Sequence, residues 1–394
     1  MLKTLSFCTG AGGLDIGLQS TCTTEIVFRC EVDPVIRETI RHHHPGLPLY
    51  DDIMQISSEE ARLHFSVNDV IMCIGGIPCP SFSTAGKRKS FDDPRGACMT
   101  KFLELSIELS AKYIVLENVR GLLSASLKHR PLSKRTTPLL EEENPGTVLK
   151  SIVSLLEEHH YSVTYQLVDA GFVGAPQSRD RVVLMAVLQE PALGFISPTH
   201  GVDSLPKRKT LGSAIRHLED SIEHEHVQFS KKKLPYFAKL KEGENWRQLP
   251  PDEQKLAMGS GTYAASGGKT GVYRRLSYNK PCPTLTCSPT MHTTSMCHPT
   301  LLRPLSVQEY AVIQGFDPDY TIKGSTAKKY KQLGNAVPVQ LGQAIGRVIQ
   351  LHRDGKPPNR VARRLSRYKA RPYTSSWNSS ATAKSSVSMS SVSQ

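Results

Sequence analysis

Val70-Ile-Met-Cys-Ile-Gly-Gly-Ile-Pro-Cys-Pro-Ser-Phe-Ser83 decides how this chain folds. Val70–Ile74 is an apolar, β-branched run that reads as a strand buried on both faces. Gly75 and Gly76 break it and let the backbone turn sharply. Pro78 fixes the approach to Cys79 and leaves the thiol at the mouth of the turn. α/β enzymes place ligands and nucleophiles beyond the carboxyl ends of such strands. Cys79 is therefore either a nucleophile or a small residue packing a tight corner, and the segment alone does not separate the two.

The surroundings repeat the strand-then-corner pattern. Leu2–Cys8, Thr24–Cys30, Val70–Ile74 and Tyr113–Asn118 read as strands. Leu14–Gln19, Val35–His42, Thr100–Ala111 and Val148–His160 read as helices, and Tyr161–Val168 and Arg181–Val187 as two further strands. Strands separated by helices imply right-handed crossovers and an α/β, doubly wound, mainly parallel sheet. From about residue 190 the chain turns rich in Pro, Gly, Ser, Thr, Lys and His, which predicts a smaller, irregular second domain. Helical patterning returns at Ser306–Gln314 and Pro338–Arg353. The latter carries small residues on an apolar stripe, which suits close packing against another element. The expected domains are thus 1–189, 190–304, a return segment 305–354, and a basic tail 355–394. Ten of the last twenty residues are serine, so the tail is expected to be disordered.

Composition narrows the class. The 394 residues are 39% hydrophobic, enough to bury a sizeable core. No apolar run approaches membrane-spanning length, and the glycine-rich N-terminus does not read as a signal peptide. A cytoplasmic protein without membrane contact is expected. The nine cysteines show no CxxC pairs, which fits free thiols in a reducing compartment. Net charge is +13, of which Gly355–Gln394, with eight Lys/Arg and no acid, supplies +8. That balance suits a polyanionic partner, or a solvated surface with a basic tail. The histidines at 42–44 and 159–160 have no matching ligand cluster, and no metal site is expected.

Several segments carry chemistry. Leu5-Ser-Phe-Cys-Thr-Gly-Ala-Gly-Gly13 leaves the first strand and opens a helix, so Gly10, Gly12 and Gly13 let backbone approach a ligand at a helix N-terminus. About 20 residues further on, Glu31 closes the second strand, where an acid suits the hydroxyls of a ribose. Asp52 sits at a third strand end, placed for an adenine amino group. Glu117, in Leu116-Glu-Asn-Val-Arg120, ends the strand beside that of Cys79, and a buried carboxyl there gains a raised pKa suited to a base edge. Alternation puts Gln177, Arg179 and Arg181 on one face, suited to a carbonyl or phosphate, or to a salt-bridged edge. Asn335, in Leu333-Gly-Asn-Ala-Val-Pro338, is a cap or a cofactor contact. Gly267-Gly-Lys-Thr lacks the spacing and preceding strand of a phosphate loop.

Taken together, these segments resemble the C5-type DNA (cytosine-5) methyltransferases of bacterial restriction–modification systems. The resemblance runs from about Leu5 to about Leu351 and includes Arg303-Pro-Leu-Ser…Gln-Gly-Phe316. It implies the S-adenosylmethionine-dependent methyltransferase fold with a smaller target-recognition domain. It also implies methyl transfer from S-adenosyl-L-methionine to C5 of a flipped-out cytosine in a specific duplex DNA sequence. Cys79 would add to C6, Glu117 would hold N3 and the exocyclic amine, Arg179 would contact O2, and Arg181 would order the pocket. Phe7, Gly10, Gly12, Gly13, Glu31, Asp52 and Asn335 would bind the cofactor. Ser81–Arg95, with Gly86-Lys-Arg-Lys89, would close as a lid, and Tyr263–Tyr273 and Thr286–Thr294 would read bases. The expected partners are double-stranded DNA and a separately acting cognate restriction endonuclease; the chain is expected to be a monomer, nucleoid-associated if bacterial. Two positions depart from the family: Pro80 replaces a frequent glutamine, and Cys8 stands where an aromatic usually packs on adenine. The Cys-Phe-Thr tripeptide of the tRNA-directed relatives is absent.

Overall fold

A computed structural model describes residues 2–78, 94–128, 130, 138–220, 223–259, 263, 271–291, 294–366 and 368. Cys79, the lid segment up to residue 93, Gly267-Gly-Lys-Thr and the end of the tail lie outside the described residues.

Seven strands form one sheet: β1 Leu2–Phe7, β2 Thr24–Cys30, β3 Leu49–Tyr50, β4 Val70–Gly75, β5 Tyr113–Val119, β6 Tyr161–Asp169 and β7 Asp180–Leu188. Their order is β3-β2-β1-β4-β5-β7-β6. The first five run parallel, as the alternation of strands and helices predicts. β7 is antiparallel to both neighbours. Its first residues therefore lie at the carboxyl end of β5, with Arg181 opposite Val119. Glu117 is two residues from Val119, so its side chain shares a face with that of Arg181.

Alternate residues of each central strand enter two cores. Leu5, Cys73, Ile114 and Leu184 face α4 (Pro94–Glu108) and α5 (Thr147–Glu158) through Phe102, Leu105, Ile152 and Leu156. Leu2, Met72, Ile74, Val115 and Val183 face α1 (Gly13–Gln19) and the C-terminal helix Val339–Arg353 through Leu14, Leu18, Leu341 and Ile345. Burial on both faces is why these strands are continuously apolar. The helix expected at Thr100–Ala111 starts earlier, at Pro94, because proline's fixed φ suits the first helical turn. It ends before Ser110, whose φ is 51°.

The small residues of the C-terminal helix meet those of α1. A methyl group on Gly342 would sit 2.7 Å from Leu14 O and 3.1 Å from Gly17 Cα, and one on Gly17 would strike Val339 O. The two backbones touch, so neither helix tolerates a side chain there. Gly17→Ala is expected to destabilise the protein by about 1–3 kcal/mol in urea titration, whereas Gly10→Ala, with open space before it, mainly strains its loop.

Among the described residues of 190–304 the elements are short, with helices at Leu211–Ile215, Leu234–Lys239 and Pro251–Met258 and the parallel pair Arg274–Arg275 with Met296–Cys297. They carry a small core of their own around Phe229, Phe237, Trp246, Leu249, Tyr273 and Cys297. Next to it, Glu309 is buried in the helix Val307–Gln314. Its carboxylate accepts from Arg303 Nη1 and Nη2 at 2.8 and 2.9 Å, and His298 Nε2 lies 3.3 Å away. Burial alone would raise its pKa; Arg303 and His298 outweigh that and hold it at about 2, against an ordinary 4.5. A carboxylate with a depressed folded pKa stabilises fully above its unfolded value and loses that contribution as pH falls towards the folded one. About 3 kcal/mol should therefore disappear between pH 4.5 and 2, and Glu309→Gln should flatten that part of a stability-against-pH curve.

The tail expectation needs correcting. Residues 359–366 are docked, not disordered. Leu365 is buried in the core beside Val168 and bridges to it in parallel.

Candidate active site

β1 delivers the glycine loop. Cys8, Gly10 and Gly12 have φ of 50°, 58° and 87°, so the chain doubles back before Gly12 caps α1. Glu31, at the end of β2, accepts from Gly10 N at 2.9 Å through Oε2 and from Asp33 N at 3.0 Å through Oε1. Burial raises the pKa of Glu31, partly offset by those two N–H groups. Its carboxylate thus shapes the loop as well as facing it. Beneath, Asp15 accepts from Arg29 Nε and Ser6 Oγ, both at 2.8 Å and buried. The sequence does not single out this pair, because the two charged residues lie on different elements. Tyr320 Oη donates to Ala11 O at 2.9 Å, and the Tyr320 ring stacks on His43 at 3.9 Å. The histidine run therefore packs the loop from outside. Among the described residues no His/Cys/Asp/Glu cluster suits a metal.

One cofactor expectation changes. Phe7 is fully buried, edge-on to Phe28 and Phe102, and presents no surface to a ligand. Strand alternation turns it into the core. Cys8, just beyond the strand, is half-buried at the edge of that core, and its thiol lies 3.6 Å from that of Cys98. Asp52 is half-buried after β3 and accepts from Met54 N, capping a short 3-10 turn. Asn335 is exposed at the end of the helix Thr326–Asn335 and accepts from Cys287 Sγ at 2.9 Å.

Gly76 is where these parts meet. A methyl group on it would lie 3.8 Å from Cys8 O, 3.8 Å from Glu117 Oε2 and 3.6 Å from Val337 Cγ2. The glycine loop, the corner leading to Cys79, the carboxyl of β5 and the segment after Asn335 converge there. Asn118 secures the corner: its Nδ2 donates to Ile77 O at 3.2 Å, two residues before Cys79.

The arginines exchange the places expected of them. Arg181 Nε lies 2.8 Å from Glu117 Oε1, at the cleft side of the sheet. Arg179 is fully buried, and its Nη1 and Nη2 donate to Leu285 O and Gly334 O at 2.9 and 2.7 Å. Being fully buried, it presents no surface to a substrate. Gln177, also buried, donates to Ile313 O and Gln314 Oε1. The three side chains do not converge, because Gln177 and Arg179 precede the regular part of β7 and alternation does not govern them. Glu117 is buried, which raises its pKa; the charges of Arg181 and Arg179 lower it in part.

A family model for the C-5 cytosine-specific DNA methylases matches residues 2–351. The chain belongs to the C-5 cytosine-specific DNA methylase family. It is 34% identical over 351 residues to the type II methyltransferase M.Eco47II of Escherichia coli, covering 88% of this chain and 78% of that protein. It is 32% identical over 343 residues to M.PspPI of Psychrobacter sp., covering 86% and 77%. The crystal structure of a mutant of Spodoptera frugiperda DNMT2 shares the fold at TM-score 0.58 and 17% identity, over 89% of this chain and 99% of that one.

This DNA (cytosine-5-)-methyltransferase uses S-adenosylmethionine as methyl donor. The glycine loop fits that cofactor: nothing lies within 4 Å of the position a Gly10 side chain would take, so a ligand can reach the backbone. In this methyltransferase Arg179 serves the architecture. Arg179→Ala would leave two buried carbonyls without donors, and a loss of about 3 kcal/mol or more is expected in chemical denaturation. A cut of activity at unchanged stability would contradict that reading.

Proposed function

We propose that this methyltransferase modifies a cytosine turned out of duplex DNA, with Cys79 as the covalent nucleophile. The observation that carries the proposal is the convergence at Gly76, three residues before Cys79, of the cofactor loop and the Glu117 carboxyl. Cytosine C5 is a poor nucleophile inside an aromatic ring. Addition of the Cys79 thiolate to C6 forms an Sγ–C6 bond and gives C5 enamine character. Electron density then moves towards N3, and Glu117, with its raised pKa, donates a proton there. Arg181, beside Glu117 and partly exposed, is the cation placed for the ring carbonyl O2. Bound S-adenosylmethionine supplies an electrophilic methyl group to the activated C5. Transfer of the C5 proton to a base such as ordered water, departure of the thiolate from C6 and return of the N3 proton to Glu117 restore the aromatic ring.

The target base is out of reach in a stacked duplex, so flipping must precede addition. Residues 190–304 are proposed to read the sequence around it, with Thr286–Thr294 as base-reading candidates. Leu285 is tied to the catalytic sheet through Arg179, which supports placing this stretch at the substrate. Glu31, Asp52 and Asn335 are proposed to hold the cofactor with the glycine loop. We further propose that the enzyme acts on DNA in the cytoplasm, with a separately acting endonuclease of matching specificity; that its relatives are named type II methyltransferases supports this reading. Among the described residues no helix is long and apolar enough to cross a membrane.

Bisulfite sequencing of DNA from a host expressing the chain should show cytosine methylation in one sequence context. A duplex carrying 5-fluorocytosine in that context should form a stable adduct, lost in Cys79→Ala. Glu117→Gln should slow transfer by about 100-fold or more. Methylated DNA without any adduct would overturn the covalent mechanism.

A further inference from the structure

The match to the family ends at residue 351, yet the chain beyond it is built into the catalytic sheet. Asn359 exchanges hydrogen bonds with Phe195: Phe195 N donates to Asn359 O at 2.8 Å, and Asn359 Nδ2 donates to Phe195 O at 3.2 Å. Gln166 Nε2 donates to Arg363 O at 3.1 Å. Asp169 N donates to Leu365 O at 2.6 Å, beside the parallel bridge to Val168. The segment therefore runs along the sheet edge at β6 in the direction of β6. That strand is parallel to β5, both being antiparallel to β7 between them. The segment accordingly travels towards the end of the sheet that bears Glu117.

Two contacts complete it there. Ser366 Oγ donates to Asp180 Oδ1 at 2.6 Å, and both residues are buried. Asp180 O in turn accepts from Arg181 Nη1 at 2.8 Å, leaving Arg181 Nε against Glu117. The Arg120 guanidinium lies 3.7 Å from the ring centroid of Tyr368, immediately after the β5 residues that carry Glu117 and Asn118. The segment thus touches the flank of both strands whose ends form the base pocket.

We propose that residues 359–368 are a C-terminal strap whose Ser366 and Tyr368 are positioning residues for the Arg181–Glu117 pair, acting through Asp180 and Arg120. The proposal rests on Glu117 and Arg181 forming the cytosine pocket. Without the strap, the Asp180 carboxyl loses its Ser366 donor at the start of β7, which gives Arg181 more freedom to swing from Glu117. Burial then acts on Glu117 with only Arg179 nearby to oppose it. A carboxyl less well paired with a cation holds its proton to higher pH.

The test compares Ser366→Ala, Ser366→Thr, Tyr368→Ala and a chain ending at Pro358, with a chain ending at Tyr368 as control for loss of the basic tail. Thermal melting establishes that each is folded. Single-turnover methylation of a cognate duplex is then followed against pH. Ser366→Ala and Tyr368→Ala should lower the rate roughly tenfold to a hundredfold. The KM for cofactor should stay unchanged, and the limb that reports Glu117 should move to higher pH. Ser366→Thr should restore both rate and profile, and the chain ending at Tyr368 should behave as the full chain. Unchanged rate and profile in Ser366→Ala and Tyr368→Ala, with Arg181→Ala inactive, would overturn the strap alone. Full activity in Arg181→Ala would overturn the pocket reading beneath it.

Discussion

A guanidinium with no carboxylate of its own joins this enzyme together. Arg179 stands at the entrance to β7, inside the protein, and directs both terminal amino groups at carbonyls from far along the chain. One acceptor, Leu285, belongs to the irregular region; the other, Gly334, closes the helix that presents Asn335. Neither carbonyl lies in a strand ladder, so each needs a donor once water is gone. Arg179 is also the second residue before Arg181. The cation that fixes three regions of the chain thereby fixes where the pocket cation emerges, and the geometry around Glu117 inherits its rigidity from that anchor.

The sheet was legible because burial on both faces writes itself into sequence as short apolar runs bounded by glycine or polar corners. The five parallel strands and their helices follow from that pattern. The orientation of β7 does not, since an apolar run carries no direction. Yet that orientation brings Arg181 beside Glu117. The close approach of α1 and the C-terminal helix was readable in the small residues at Gly342, Ala344 and Gly346. Residues 359–366 were not readable: Leu365 is an isolated apolar residue among arginines, and only its partner Val168 shows that it is core.

At the site, the residue types were legible and their assignments only partly so. Glu31 and Glu117 end strands as their positions imply. Phe7 is the aromatic nearest the position where the family packs one on adenine, but the alternation of β1 sends it inward. Arg179 and Arg181 look equivalent on paper. They part because one lies before the strand and meets orphan carbonyls, while the other lies in it and meets a carboxylate. Such distinctions depend on partners far along the chain, which local pattern does not encode.

The helix at Val339–Arg353 has a further consequence, for biosynthesis. One face of the sheet, with Met72, Ile74, Val115 and Val183, is covered by Leu341, Ile345 and Ile349. A ribosome builds the strands first and that helix near the end. Until it emerges, a nascent chain carries a sheet with one apolar face only partly covered, by α1, a surface prone to chaperone capture or aggregation. The segment leading into that helix approaches the glycine loop, with Val337 O against Gly13. Until residues 337–353 have been made the methyl-donor site is incomplete, so the strands alone do not amount to an active enzyme.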